Sequence, residues 1–323
     1  VLPRIALTFG DPAGIGPEIV ARLLADPAST IKAEIHLIVS QEALAAGAKA
    51  AGVPIPTNRP NLHIVDWPGK NARFKPSQVT PENGRYILDS LSLAVRMAQE
   101  DKVDAVCFAP LNKGAMRMGG MQQEDEMRWF AELLKHTGPA GEFNVLGPLW
   151  TARVTSHVAL KEVSSLLTPA GVANAICMLT GALRAAGVDH PRIGVCGLNP
   201  HNGDNGNYGT EESEIIEPGV ALANSQGFPA LGPFPADTIF LRAKKDGLDG
   251  IVNMYHDQGQ IATKLLGFDI GVTVYGGLQI PITTPAHGTA YDIVGQGVAQ
   301  ATAMTSALDL ACRMGMNCRA RKT

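Results

Sequence analysis

Three histidines set in turn-like loops are the residues of this sequence best suited to chemistry. His256 stands in Met254-Tyr255-His256-Asp257-Gln258-Gly259, where a strand-like run gives way to a helix-like run carrying Lys264. A buried strand has no packing use for an adjacent imidazole and carboxylate, so such a pair at a strand's C-terminal end faces a cleft. His157 follows Thr155-Ser156, and His201 lies in Asn199-Pro200-His201-Asn202-Gly203, just after the apolar run 193–198. Imidazole is the commonest divalent-metal ligand near neutral pH, and three of them leave coordination positions open for a substrate. A single loop histidine is more often a solvated residue than a ligand. These three share a setting, however: each follows a strand-like run and lies among Gly, Pro, Asn or Asp, the residues of sharp functional turns. They are too far apart in sequence to form a compact zinc motif, so spacing alone does not prove the site.

The elements that must position them alternate. Residues 4–9 read as a buried strand running into Gly10-Asp11-Pro12-Ala13-Gly14-Ile15-Gly16-Pro17-Glu18, a glycine-rich turn that opens a helix over 18–25. Pro17 suits a first helical position, and backbone amides at such a turn can approach a ligand closely. The turn is not Gly-x-Gly-x-x-Gly, so a Rossmann fingerprint is not supported and a plain structural turn remains open. Strands over 35–39, 62–65 and 105–109 alternate with helices over 41–51 and 81–100. A charged helix over 124–135 marks a composition shift. Beyond it come an apolar strand over 144–149, helices over 169–187 and 211–227, and strands over 192–198 and 250–254. A last strand spans 271–275 and a last helix 299–314. Such alternation predicts mainly parallel sheets covered by helices. Asp237, in the turn 233–238, reads as a cap for the helix that follows or as a carboxylate offered to a ligand. Lys113, just past a buried strand, is open between surface lysine and ligand contact. The basic end 319–322 reads as frayed.

With 323 residues and 45% hydrophobic composition, the chain exceeds what one core usually serves, which predicts two domains. A net charge of −3 gives no electrostatic case for nucleic acid or an anionic membrane and favours a small-molecule partner. No apolar run approaches the roughly 20 residues of a membrane span. The start, Val1-Leu2-Pro3-Arg4, runs into a strand rather than a signal peptide, so a cytoplasmic location is expected. The 5 cysteines form no Cys-x-x-Cys pair and are expected to be reduced.

From Gly10-Asp11-Pro12-Ala13-Gly14-Ile15-Gly16-Pro17-Glu18 to His287-Gly288-Thr289-Ala290-Tyr291-Asp292-Ile293, nearly the whole chain resembles the metal- and NAD(P)-dependent 4-hydroxythreonine-4-phosphate dehydrogenases. That group includes terephthalate dihydrodiol dehydrogenases. The terminal motifs are also similar to those of the β-decarboxylating isopropylmalate and isocitrate dehydrogenases. The resemblance implies two α/β/α domains with the active-site cleft between them, residues 1–118 with 284–323 forming one and 119–283 the other. It implies that His287, Gly288, Thr289, Ala290, Asp292, Ile293 and Gly295 bind NAD or NADP. It also makes His157, His201 and His256 the ligands of a divalent metal in a homodimer, with His256 completing the partner's site. Zinc suits three imidazoles best, with cobalt, nickel, manganese or magnesium as alternatives. Lys264 matches a substrate lysine and is the first candidate for proton transfer, with Asp257 and Asp237 as supporting or base candidates.

The sequence departs from the family at the substrate. The family's Gly-His-Thr-Glu motif is replaced by Glu124-Asp125-Glu126-Met127-Arg128-Trp129, its phosphate-binding Arg by Ile282, and an Asn by Thr273. This predicts oxidation, with decarboxylation, of a non-phosphorylated β-hydroxy acid or dihydrodiol carboxylate held by Lys264, Thr273, Lys113 and Arg128. The family's phosphorylated substrate is the alternative. A non-catalytic ligand-binding relative and a metal-dependent hydrolase are readings of other classes; the intact histidines and Lys264 argue against the first, and the 287–297 loop against the second.

Overall fold

The computed structural model describes residues 2–55 and 59–321; Val1 and Lys322, named above, lie outside them. Among the described residues the strands are, in chain order, β1 (Arg4–Thr8), β2 (Glu34–Ile38), β3 (Leu62–Ile64), β4 (Ala105–Phe108), β5 (Gly141–Leu146), β6 (Leu149–Arg153), β7 (Ile193–Cys196), β8 (Ala230–Phe234), β9 (Gly250–Asn253), β10 (Val272–Gly276) and β11 (Ile282–Pro285). The chain divides into two compact units, Val1–Thr137 with Asp269–Thr323, and Gly138–Phe268. These boundaries differ from the expected 118/119 and 283/284. The reason is aromatic packing: Phe130 from the helix Glu126–Leu133 and Tyr275 from β10 lie 5.3 Å apart and 5.8 and 5.9 Å from Phe108 of β4, which ties both segments to the first unit.

In the first unit the strand order is β3-β2-β1-β4-β11-β10, and β10 runs antiparallel to β11 while the other pairings are parallel. The strands β1 and β4 are apolar runs whose residues Ile5, Leu7, Val106 and Phe108 are completely buried, as parallel strands covered by helices require. The helices end where the sequence places stops. Ser40 Oγ accepts from Ala43 N to open Gln41–Ala51, and Gly52, at φ 65°, closes it in the left-handed region. Thr80 caps Pro81–Gln99 in the same way.

The second unit has the order β5-β6-β9-β7-β8, parallel except for the β5–β6 hairpin. The hairpin replaces the single strand expected over 144–149, because Gly147, at φ 55°, turns the chain so that Asn144 faces Thr151. The expected helix over 211–227 is also interrupted: a π turn, Glu212–Ile216, precedes Glu217–Ser225, whose Pro218 lies in the first turn. The strands β8 and β11 were not foreseen, since Pro233 and Pro285 break their patterns. Nor does the C-terminal end fray at 319, for the helix Thr302–Ala320 carries Arg319 to within 3.7 Å of the Asp104 carboxylate, which Arg4 also grips at 2.7 Å.

The thiols of Cys107 and Cys196 are pushed up to about 12 by burial, and that of Cys312 likewise, so none offers a nucleophile near neutral pH. Among the described residues, no single helix is long and apolar enough to cross a membrane.

Candidate functional site: a histidine edge and a glycine cradle

The three histidines leave the same edge of the second unit's sheet. The strands β6, β9 and β7 are adjacent and parallel, with Arg153 beside Asn253 and Val195 beside Val252, so their C-terminal ends open together. His157, His256 and His201 follow those ends within a few residues, at the edge where parallel sheets bind ligands. Asn253 secures the edge. Its buried side chain donates to Ala152 O on β6 at 3.2 Å and accepts from Cys196 Sγ on β7 at 3.3 Å. Gly259 is needed here because a Cβ would fall 2.5 Å from Asn253 Nδ2. Gln258 adds a second tie, donating to Gly197 O at 2.8 Å while accepting from Met254 N at 2.7 Å.

Within one chain, this register brings the His157 and His256 rings to 5.5 Å between centroids. His256 Nδ1 lies 2.6 Å from Asp257 Oδ1, which leaves Nε2 outward; a carboxylate behind an imidazole in this way fixes the tautomer that binds a metal. The two rings are thus neighbours at the sheet edge. His201 is not gathered with them. It begins a turn in which five residues, His201 to Asn205, hold positive φ, and its ring packs 6.2 Å from Tyr208. Among the described residues, no group of three or more His, Cys, Asp or Glu is placed to hold a metal within one chain. The turn is anchored by Glu212, whose buried carboxylate accepts from Leu198 N and Asn199 N, both at 2.7 Å, and from Asn199 Nδ2 at 3.0 Å. Asn253, Gln258 and Glu212 were missed in the sequence, where nothing but their neighbourhood to the histidines marks them.

Lys264 is exposed on the helix His256–Gly267, eight residues beyond His256, a rise of about 12 Å along the helix. It therefore reaches the far part of a ligand held at His256 rather than a cation there. Asp237 is exposed one residue before Thr238, the N-cap of Ile239–Asp246, and that helix has no side-chain cap, so the expected capping role is not taken up.

In the first unit the glycine-rich turn and the 287–297 loop form a cradle. Ile15 N donates to Thr289 O at 3.0 Å, and a Cβ at Gly14 would stand 2.9 Å from Thr289 Cβ, so only glycine allows this approach. Beside it a cavity of about 160 Å³, lined by Gly14, Pro17, Gly47, Phe74, Val294 and Gly295, has the size of a nucleobase. Gly288, Asp292 and Gly295 are exposed, while His287, Thr289, Ala290 and Ile293 are half-buried. Exposed backbone at such a loop, opposite a helix that starts at Gly16, fits the phosphates and base of a dinucleotide.

The remaining candidates are committed to partners. Lys113 Nζ lies 2.8 Å from Glu126 Oε2, and Tyr275 Oη donates to Glu126 Oε1 at 3.2 Å. Arg128 Nη1 pairs with Glu124 Oε2 at 2.6 Å on the surface, and Asp125 caps its helix by accepting from Arg128 N. Thr273, half-buried on β10, sits opposite Thr284, and Ile282 is completely buried in β11 beside Val106.

A parallel-sheet edge bearing imidazoles thus stands in one α/β unit, and a glycine-rich cradle in the other. Residues 18–311 match the family described as Pyridoxal phosphate biosynthetic protein PdxA, and the chain belongs to it. It is 52% identical, over 97% of each chain, to a Pseudomonas aeruginosa protein that carries the provisional name 4-hydroxythreonine-4-phosphate dehydrogenase 2. It is 35% identical to the D-threonate 4-phosphate dehydrogenase of Cupriavidus necator, over 95% of this chain and 96% of that one. Among solved structures, a 4-hydroxythreonine-4-phosphate dehydrogenase from Klebsiella pneumoniae matches 98% of both chains at a TM-score of 0.85 and 32% identity. The isocitrate dehydrogenase of Methylococcus capsulatus covers 95% of this chain and 84% of its own, at 16% identity and a TM-score of 0.50, a likeness of fold. The protein is thus an oxidoreductase of the isocitrate dehydrogenase-like fold.

Proposed function

We propose that the protein oxidises the secondary alcohol of a phosphorylated hydroxy acid of the 4-hydroxythreonine 4-phosphate or D-threonate 4-phosphate type, using NAD or NADP and a divalent metal, zinc foremost. The observation that carries this reading is the identity of 52% over 97% of both chains with a relative named for a phosphorylated substrate. The same names overturn the expected non-phosphorylated substrate. The physical fault in that expectation is plain. Glu124, Asp125 and Glu126 are held by Arg128, by a helix N-terminus and by Lys113 with Tyr275, so they present little uncompensated charge to a phosphate. Ile282, read as a lost phosphate ligand, is a core residue of β11.

A bound cation would lower the pKa of the substrate hydroxyl and the nicotinamide would accept hydride. This chain's residues do the rest. His157 and His256 hold their side of the metal position, and Asp257 keeps the His256 ring in its binding tautomer. Lys264, exposed eight residues further along the helix from His256, meets the far part of the substrate rather than its reacting hydroxyl. In both acids the oxidised hydroxyl lies β to the carboxylate, so the product is a β-keto acid and carbon dioxide can leave.

The third donor is proposed to come from a second copy. Ile261, Leu265 and Leu266, on the helix that carries His256 and Lys264, are 62%, 84% and 61% exposed, an apolar face that a homodimer would cover. The resemblance draws His256 from the partner. The pairing of His157 with His256 inside one chain favours His201 as the histidine that crosses.

The substrate reading is tested by comparing kcat/KM for each phosphorylated acid with that for its dephosphorylated analogue. Losing the charged contacts to a phosphate costs roughly 1.5–3 kcal/mol per contact, so the phosphorylated acid is expected to be favoured by at least about ten-fold. Equal turnover of the two would contradict it.

A further inference from the structure

We propose that Tyr291 is a positioning residue for dinucleotide binding: its hydroxyl, donated to the buried carboxylate of Asp11, latches the 287–297 loop onto the glycine-rich turn. This deepens the dehydrogenase reading above and rests on it. Tyr291 is not among the loop residues that the resemblance marks for the cofactor, and its hydroxyl turns inward from the loop.

The hydrogen bonds fix one direction for the proton. Asn112 Oδ1 accepts from Ala115 N at 2.9 Å to cap the helix Lys113–Met118, so its amide nitrogen must face the other way, where it donates to Tyr291 Oη at 3.2 Å. With Tyr291 Oη thus accepting, its own proton goes to Asp11 Oδ2, the nearer of two acceptors, Gln78 O standing off at 3.5 Å. Asp11 is fully buried, and its other oxygen accepts from Ala13 N at 3.0 Å inside the glycine-rich turn. Burial pushes the Asp11 carboxyl above its usual range, against the opposing pull of the Tyr291 hydroxyl and the Ala13 amide. The Tyr291 hydroxyl is thus a side-chain donor to a carboxylate that has left water.

The loop has reason to need a latch. Ala290 is held at φ 43°, the left-handed region that a residue with a Cβ avoids, and Gly288, Asp292 and Gly295 lie in the open. Besides the Ile15–Thr289 bond, the latch is supported by Ser77 Oγ, which donates to Tyr291 O at 2.7 Å. Both bonds flank the Tyr291 ring, so removing its hydroxyl loosens the segment they hold.

The test is Tyr291→Phe, which keeps the ring and removes the donor. Titration of NAD and NADP against the protein, followed by tyrosine and tryptophan fluorescence, is expected to show binding weakened by about ten-fold to a hundred-fold, the loss of one hydrogen bond to a charged group. The KM for dinucleotide should rise by a similar factor while kcat at saturating dinucleotide stays near wild type. Amide hydrogen exchange of the ligand-free protein should show lost protection in 287–297 and unchanged protection in the helix Pro81–Gln99. Asp11→Asn, which removes the charge the hydroxyl addresses, should weaken binding in the same direction and serves if the first variant folds poorly. Unchanged dinucleotide affinity in both variants, or weakened affinity with the loop's protection intact, would overturn the proposal alone. A wild-type protein that binds neither NAD nor NADP would overturn the dehydrogenase reading and the latch's purpose together.

Discussion

Replacing His256 with alanine is expected to abolish oxidation, with a fall of about a thousand-fold or more in kcat/KM. The Nδ1 of His256 is already engaged by a carboxylate, at 2.6 Å from Asp257, so its Nε2 is oriented before any ligand arrives. His157, 5.5 Å away between ring centroids, would be left as the sole imidazole of this chain's pair. A cation held by fewer ligands is bound weakly, and its polarisation of the reacting oxygen is worth several kcal/mol, each 1.36 kcal/mol being ten-fold in rate. Dialysed His256→Ala should contain little metal by elemental mass spectrometry. The exchange protection of the β6–β9–β7 edge should persist, since Asn253 rather than His256 ties those strands. Full oxidation by this variant after chelation would refute the histidine site.

Mixing separately inactive variants should recover activity in a pattern that names the histidine crossing between copies. If one chain supplies His157 and His256 and its partner supplies His201, His201→Ala mixed with His157→Ala leaves one whole site in each heterodimer. So does His201→Ala with His256→Ala. A mixture of His157→Ala with His256→Ala would leave none. Random exchange makes about half the dimers hetero, so about a quarter of wild-type activity should return in the first two mixtures, from a background near zero. Recovery in the His157→Ala with His256→Ala mixture, and its absence for His201→Ala with His157→Ala, would instead assign His256 to the partner. No recovery in any mixture, with subunit exchange verified, would exclude shared sites.

Much of this arrangement is legible in the sequence, because its causes are local. His157, His201 and His256 each follow an apolar run, and a turn after a parallel strand opens at the ligand-binding edge whatever the topology. What sequence does not reveal is adjacency. That β6 and β9 are neighbours, so that His157 meets His256 while His201 faces Tyr208, depends on pairings a hundred residues apart in the chain. Asn253 and Glu212 were unreadable for the same reason, since a buried side chain that satisfies distant backbone looks like any polar residue until its partners are placed. The substrate was misread by counting charges without partners. Glu124, Asp125 and Glu126 form an acidic run on paper, yet in the fold each is spent on a cation or a helix end. The extended strand over 144–149 failed because one residue, Gly147, decides between a strand and a hairpin.

The most direct test of the account follows the hydride itself. Substrate bearing deuterium on the carbon that carries the β-hydroxyl, in 4-hydroxythreonine 4-phosphate and in D-threonate 4-phosphate, is incubated with metal-loaded protein and NAD or NADP, and the reduced dinucleotide is weighed by mass spectrometry. Reduced dinucleotide carrying the deuterium, formed only with metal present and from at least one of the two acids, is the predicted result. Failure of both acids to reduce either dinucleotide, or reduction without transfer of the label, would contradict it.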